Sequence, residues 1–428
     1  MKKDLDARLK DRRPIRVGVV GTGKMGAALL AQLHCLKGIH PSVVVNRTPE
    51  KALDSLVRAG FNRTEIYTSD SISGQKKAFE QGKIILSDSY DCAFHLPIDG
   101  IVDATGNPSM GAELASKAID AHMHIIMLNV ETDAVVGPIL LEKAQKEGVI
   151  YTGSAGDEPG AMVELANFVT GNGFTLLAVG KGKNNPLNYY VTADELRENA
   201  LKKGLRPEML VGFVDGTNTM IEMTAAGNAL GFVPDVPGGH GAELTLNEMP
   251  AFYSLKEQGG ALNQYGIVDF CFGIAPGVYA IATTPSADVR DLLEYVSMGE
   301  GPNFCFHRPY HLTSLETPTS IYDAIVKKEA TIAPEQGQIC DTIAVAKRDI
   351  KKGETLSGIG SDDCFGRIIS HEAQQQEKSY PIALITPGTV ATCDIQKDTV
   401  ITSSMIYHQD EMLIHRLRKE QDKAENKA

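Results

Sequence analysis

The stretch Arg16-Val17-Gly18-Val19-Val20-Gly21-Thr22-Gly23-Lys24-Met25-Gly26 decides how the rest of the chain is read. Residues 17–20 form a short apolar run of strand character, and an apolar helical pattern over 27–33 follows the glycines. A G-x-G-x-x-G turn between strand and helix is the setting in which backbone closes around a pyrophosphate. Gly21 admits the tight turn, Gly23 lets N–H groups approach an anion, and Gly26 lets the helix pack on the sheet. The positive end of the helix then faces the phosphates. Residues 40–45 read as the second strand and end in Asn46-Arg47-Thr48, about 20 residues beyond the last glycine, where a ribose-reading residue belongs. An Asp or Glu there would bind both ribose hydroxyls and repel a 2′-phosphate. Asn46, Arg47 and Thr48 instead point to NADP(H).

Outward from this point, residues 14–150 alternate short apolar runs with helical patterns, as a doubly wound parallel sheet does. Six strands are expected, at 17–20, 40–45, 83–86, 100–104, 124–128 and 149–151. Helices are expected near 50–59, 72–81, 111–121 and 136–147. Two of these strands end in Asp103-Ala104-Thr105-Gly106 and at Asn129, on the carboxyl edge where open α/β sheets bind ligands. Thr105, Gly106 and Asn129 therefore join Gly21, Thr22, Gly23, Lys24, Met25, Gly26, Asn46, Arg47 and Thr48 as expected cofactor contacts.

The fold class is α/β: a Rossmann doubly wound parallel sheet over 1–152, followed by an α+β domain over 153–330 whose last helix returns to the first. A small β-rich domain occupies 331–410, and a charged tail runs over 411–428. In the third region two phrases, Ala346–Leu356 and Cys393–Ile401, share an Asp-Ile, a basic turn and a Thr-aliphatic pair, as paired β-turn units would. The 428 residues carry a formal net charge of −12, which argues against nucleic acid and against an anionic membrane surface. No run approaches the roughly 18 apolar residues of a membrane helix, and residues 1–13 lack the apolar stretch of a signal peptide. Seven cysteines with no C-x-x-C pair read as free thiols in a reducing cytoplasm.

Four polar clusters could carry chemistry. Gly180-Lys181-Gly182-Lys183-Asn184-Asn185 follows an apolar strand, and two lysines separated by one residue face the same side if the segment is extended. Lys181 or Lys183 could protonate or polarise a carbonyl, given burial or a nearby cation that lowers its pKa. The other could hold a phosphate, and an exposed basic loop is the plainer alternative. Asp157-Glu158 precedes a helix, where carboxylates also serve as caps. Asp215 stands just before a helix starting near Thr217, with Glu222 inside it; either could act as general acid or base, and capping explains Asp215 equally well. His307-Arg308-Pro309-Tyr310-His311 offers a guanidinium for a phosphate and imidazoles for proton exchange. No spacing indicates a metal site, and no bound metal is expected; whether a divalent cation bridges substrate oxygens through Asp157, Glu158, Asp215 or Glu222 stays open.

These residues taken together, the chain resembles the homoserine-dehydrogenase-like oxidoreductases with a C-terminal SAF (β-clip) domain. Within them it is most similar to the reductoisomerase-like family, the second type of 1-deoxy-D-xylulose-5-phosphate reductoisomerase. The resemblance spans nearly the whole chain and rests on 21–26, 155–160, 180–188, 213–223 and 306–315, with the SAF part on 346–356 and 387–401. It departs from homoserine dehydrogenases at Asn129-Val130, where their Asn-Lys pair would stand, and in possessing Lys181 and Lys183. The resemblance implies an NADPH-dependent reductoisomerase of a phosphorylated ketose, making 2-C-methyl-D-erythritol 4-phosphate for isoprenoid biosynthesis. The alternative is an NAD(P)-dependent oxidoreductase acting on another small phosphorylated or hydroxylated substrate without rearrangement. In either case Lys181, Lys183, Asp215 and Glu222 would be catalytic, while Asp157, Glu158, Asn184, Asn185, His307, Arg308 and His311 would bind substrate. A homodimer through the middle domain is expected by analogy.

Overall fold

The computed structural model describes residues 1–425, which gather into two compact units. The first comprises 1–157, 312–333 and the chain from 416 onward; the second comprises 158–311 and 334–415.

In the first unit, seven strands form one wholly parallel sheet: β1 (Ile15–Val20), β2 (Ile39–Val45), β3 (Ile66–Tyr67), β4 (Ile84–Ser87), β5 (Gly100–Asp103), β6 (His124–Met127) and β7 (Tyr151–Gly153). Their order is β3-β4-β2-β1-β5-β6-β7. The chain therefore winds outward from β1 to one side and from β5 to the other, a Rossmann-type doubly wound arrangement with its switch point between β1 and β5. Val17, Val19, Leu29, Leu30, Val44 and Val102 build the core, joined by Ile321, Tyr322 and Ile325 from the returning segment and Leu5 from the N-terminal helix Lys2–Lys10.

The sheet has one strand more than the six expected. β3 is only two residues long, follows a 3-10 turn over Arg63–Glu65, and gives no periodic signal of its own. A second difference lies in the helix Val130–Glu147, which begins six residues before the expected 136 and runs through Pro138. Proline has no N–H and breaks a helical ladder. Here Ile139, the next donor, gives its N–H to Gln421 Oε1 at 3.1 Å, and Gln421 Nε2 donates to the Val135 carbonyl at 3.4 Å. Arg418 Nη1 donates to the same carbonyl at 3.3 Å. Gln421 thus fills the opened rung. Both side chains come from the helix Leu413–Glu425, in which Ile414, Leu417, Arg418 and Gln421 are buried. The region read as a charged tail over 411–428 thus carries a helix with a buried face over Leu413–Glu425; residues 426–428 lie outside the described residues.

In the second unit, β8 (Thr175–Gly182), β9 (Ala242–Glu243), β10 (Ile267–Phe272), β11 (Val278–Thr283) and β12 (Asn303–Arg308) form a mixed sheet in the order β12-β11-β8-β10-β9. The helices Glu158–Gly171 and Thr217–Leu230 cover one face, setting Ala161, Met162, Met220 and Met223 against Val179, Val268 and Val278. Tyr253, Met249, Leu244 and Leu262 cover the other. From the C-terminal region, β13 (Cys340–Ala346) pairs antiparallel with β15 (Cys364–Ser370), and Cys340 and Ile368 enter the same core. β14 (Thr355–Leu356), β16 (Thr389–Ala391) and β17 (Ile406–His408) make a three-stranded sheet.

The two similar phrases of the C-terminal region pair with each other. Ile350 and Ile395 exchange N–H···O=C bonds, each 2.8 Å. Asp349 Oδ1 accepts from the Lys397 amide at 2.8 Å, and Asp394 Oδ1 accepts from the Lys352 amide at 2.9 Å. Each phrase thus uses its Asp to cap the basic turn of the other, which is why the two sequences look alike. Among the described residues no helix is long and apolar enough to cross a membrane.

Candidate functional site

The carboxyl edge of the sheet in the first unit is built from glycines where side chains would collide. Gly21 has φ +97°, and a Cβ there would stand 2.5 Å from the Ala104 carbonyl oxygen just past β5. A Cβ on Gly26 would stand 2.0 Å from the Gly21 carbonyl oxygen, while one on Gly23 would meet nothing within 4 Å. Gly21 and Gly26 are thus required by packing. Gly23 is the N-cap of the helix Lys24–Cys35, which starts three residues earlier than the apolar pattern indicates. Gly23 and Lys24 are exposed, and Met25 is half-buried. This cradle fits a dinucleotide: a row of backbone amides at a helix start, capped by a residue with no side chain.

Beside it, Asn46 donates through Nδ2 to the Thr22 hydroxyl and accepts from the Thr48 amide at 3.1 Å, so the loop after β2 is tied to the glycine turn. Arg47 is exposed there. Thr105 donates from its hydroxyl to Asp103 Oδ1 at 2.7 Å, and Gly106 has φ +58°. Asn129 departs from expectation. It is wholly buried, donating to Asp103 Oδ2 and the Asn107 carbonyl at 2.9 Å each and accepting from the Thr132 amide at 3.3 Å. Its side chain joins the ends of β5 and β6 rather than facing a ligand, and burial raises the Asp103 carboxyl that it binds.

In the second unit the expected lysines, two glutamates and one histidine converge. Lys181, next to last in β8, lies on the helix-covered face, where its ammonium donates to Glu158 Oε1 at 2.9 Å and to Glu222 Oε2. His311 Nε2 lies 3.3 Å from the same Glu158 oxygen. Glu158 opens the helix Glu158–Gly171, and Glu222 lies in the helix Thr217–Leu230, so both helices covering the sheet supply a carboxylate. Lys183, just past the strand, donates to the Phe213 carbonyl at 2.6 Å. Lys181, Lys183 and Glu222 are 6%, 5% and 7% exposed.

Such burial penalises every charge, so neighbours decide each group's behaviour. Burial pulls Lys181 down, but Glu158 and then Glu222 outweigh it and hold it above the ordinary lysine range. For Lys183, burial and then the adjacent Lys181 ammonium act together, bringing it down to about 8. Burial and the Glu158 charge raise Glu222 against the opposing pull of Lys181. The two lysines therefore separate into a clamped cation and a labile one. With Lys183 protonated and both glutamates ionised, two cations face two anions; loss of the Lys183 proton leaves an excess negative charge.

Three expectations are corrected. Asp215 is no open proton carrier: it is fully buried, its Oδ1 accepts from the Thr217 amide at 2.9 Å, and its Oδ2 forms an ion pair with Lys347 at 2.7 Å. Lys181 is not an amine of lowered pKa, because two carboxylates hold its proton. His307 and Arg308 do not form one anion clamp, since neighbours along a strand face opposite sides. Arg308 is in register with Val278 and Lys181 and reaches Glu164 at 2.8 Å. His307 lies with Tyr279 and Gly180 on the other face, and burial lowers its pKa. Asn184 is exposed and Asn185 half-buried in the loop after Lys183, while Asp157 is the last residue of the first segment of the first unit. Lys347 and the Phe213 carbonyl escaped the sequence reading: a backbone acceptor has no residue signature, and Lys347 lay inside a phrase read as a β-turn unit.

Residues 156–317 match the family model described as "Oxidoreductase DRL, catalytic domain". No curated protein matches the chain. Among solved structures, a probable dehydrogenase from Thermotoga maritima is 12% identical with a TM-score of 0.41, over 75% of this chain and 92% of that one. GenD2 from gentamicin A biosynthesis, in complex with NAD, is 13% identical with a TM-score of 0.38, over 76% and 90%. A myo-inositol dehydrogenase from Corynebacterium glutamicum is 12% identical with a TM-score of 0.31, over 64% and 65%. The stretch that holds Glu158, Lys181, Lys183, Glu222 and His311 is thus similar to the catalytic domain of an oxidoreductase.

Proposed function

We propose that the chain is a nicotinamide-dependent oxidoreductase that reduces the carbonyl of a small phosphorylated or hydroxylated compound, using NADP(H) and leaving the carbon skeleton intact. The observation that carries this reading is the division between Lys181 and Lys183. A buried amine brought down to about 8 is mostly protonated at neutral pH yet gives up its proton readily. The other features in support are the glycine cradle after β1, the exposed Arg47 beside it, and the match of residues 156–317 to an oxidoreductase catalytic domain.

When bound, the nicotinamide supplies a hydride to the carbonyl carbon. Lys183 gives its proton to the carbonyl oxygen as negative charge develops there, and takes one from solvent afterwards. Lys181 stays protonated throughout and acts by repelling the Lys183 proton. Glu158 and Glu222 keep that ammonium in place, and His311 restrains Glu158. The dinucleotide phosphates would lie against the amides at the start of the helix Lys24–Cys35, with Arg47 toward the 2′-phosphate of the adenosine ribose.

The test is loss of nicotinamide absorbance with NADPH or NADH against phosphorylated ketoses, including 1-deoxy-D-xylulose 5-phosphate, and against hydroxylated keto compounds. Carbon connectivity of the product is read by NMR. The expected result is substrate-dependent NADPH consumption with connectivity unchanged. A branched product would replace this reading with the reductoisomerase one, and no turnover on any compound would remove the proposed substrate class.

A further inference from the structure

Lys347 belongs to the first of the two C-terminal phrases, yet its side chain leaves that region and ends in the interior beside the catalytic helices. It is 5% exposed. Its ammonium has three oxygen partners: Asp215 Oδ2 at 2.7 Å, the Ser361 carbonyl at 2.7 Å and the Val191 carbonyl at 3.3 Å. Asp215 in turn accepts from the Thr217 amide, the first of the helix Thr217–Leu230. Phe213, two residues before Asp215, presents the carbonyl that receives the Lys183 ammonium at 2.6 Å. The loop after Lys183 is held to the same turn, because the Asn188 amide donates to the Val214 carbonyl at 3.0 Å.

We propose that Lys347 is a positioning residue for Lys183: by pairing with Asp215 it fixes the turn whose carbonyl holds the Lys183 ammonium, and it neutralises the buried carboxylate two residues after that carbonyl. This rests on the reading of Lys183 as proton donor. The charged groups that face Lys183 are Lys181 from β8, Glu222 from the helix Thr217–Leu230 and Asp215 from the turn before it. Lys347 stands behind Asp215. Its charge bears on Lys183 through that carboxylate, so removing either member of the pair changes the field at Lys183 with opposite sign.

The test is trace labelling of lysines with acetic anhydride across neutral to alkaline pH, the midpoint of Lys183 reactivity being read by peptide mass spectrometry. Lys347→Gln leaves Asp215 unopposed and moves the midpoint upward. Asp215→Asn leaves Lys347 unopposed and moves it downward. Each shift is expected to be on the order of half a pH unit. Thermal unfolding identifies variants that do not fold. Should a single variant fail, the exchanged pair D215K/K347D keeps both charges while bringing the cation nearer Lys183, and its midpoint moves downward. Shifts of the same sign in the two single variants, or an unmoved midpoint in them or in the exchanged pair, overturn the proposal. Loss of turnover in Lys183→Met tests the proton-donor role separately, so failure of that reading is distinguishable from failure of this one.

Discussion

At the residue scale, chemically alike neighbours are given different tasks by their partners. Lys181 and Lys183 are separated by one glycine, and the strand period placed them together from sequence alone. What the sequence could not show is that Glu158 and Glu222 close on one ammonium only, because those contacts depend on two helices docking on the sheet. The same period, applied to His307 and Arg308, would have placed them on opposite faces; their nearness in sequence suggested a joint anion site instead. The division between the lysines can be tested directly. Lys181→Met removes the cation that lowers Lys183 and the ammonium that Glu158 and Glu222 share. The alkaline limit of activity is expected to move upward, with stability falling by about 3–5 kcal/mol as for other broken buried pairs. Activity against pH and calorimetric unfolding measure the two effects.

At the element scale, the sequence was legible wherever structure is local. β1, the glycine turn and the helix after it are set by short-range rules: an apolar run, a left-handed glycine and an open amide row. β3 was invisible because two residues carry no period. The helix Val130–Glu147 runs six residues further back than the expected 136–147, and its interruption at Pro138 is repaired by Gln421 from the far end of the chain, which no local rule could supply. Gln421→Ala leaves the Ile139 amide and the Val135 carbonyl without these bonds in a buried setting. A loss of about 1–3 kcal/mol is expected from unsatisfied buried groups, measured by denaturant unfolding. Gln421→Glu, which keeps an acceptor for Ile139, is expected to recover part of it.

At the scale of the whole molecule, the chain leaves the first unit after residue 157, returns over 312–333, and returns again with its last helix. The segment 312–333 and the final helix lie far in sequence from the strands of that unit, so short-range rules do not set which unit they join. Titration acts at this scale too. Asp133, inside the first unit and bound by the Tyr151 hydroxyl at 2.9 Å, is raised by burial from 3.8 to about 6. Between those values the folded chain keeps a proton that the unfolded chain has released. Asp133 therefore contributes stability at low pH that is lost as pH rises through that window, by on the order of a few kcal/mol. Comparing thermal midpoints of wild type and Asp133→Asn across mildly acidic pH isolates this term. Wild type should gain relative to the variant on acidification.

The most direct test of the proton-donor assignment is the pH dependence of NADPH-linked turnover in wild type and Lys183→Met, using the best substrate found. Wild-type kcat should fall on the alkaline side with a midpoint near 8. Lys183→Met should be slower by about a hundredfold or more at neutral pH, lack that alkaline fall, and keep a similar KM. A Lys183→Met enzyme that retains wild-type kcat with the same alkaline midpoint would contradict the account.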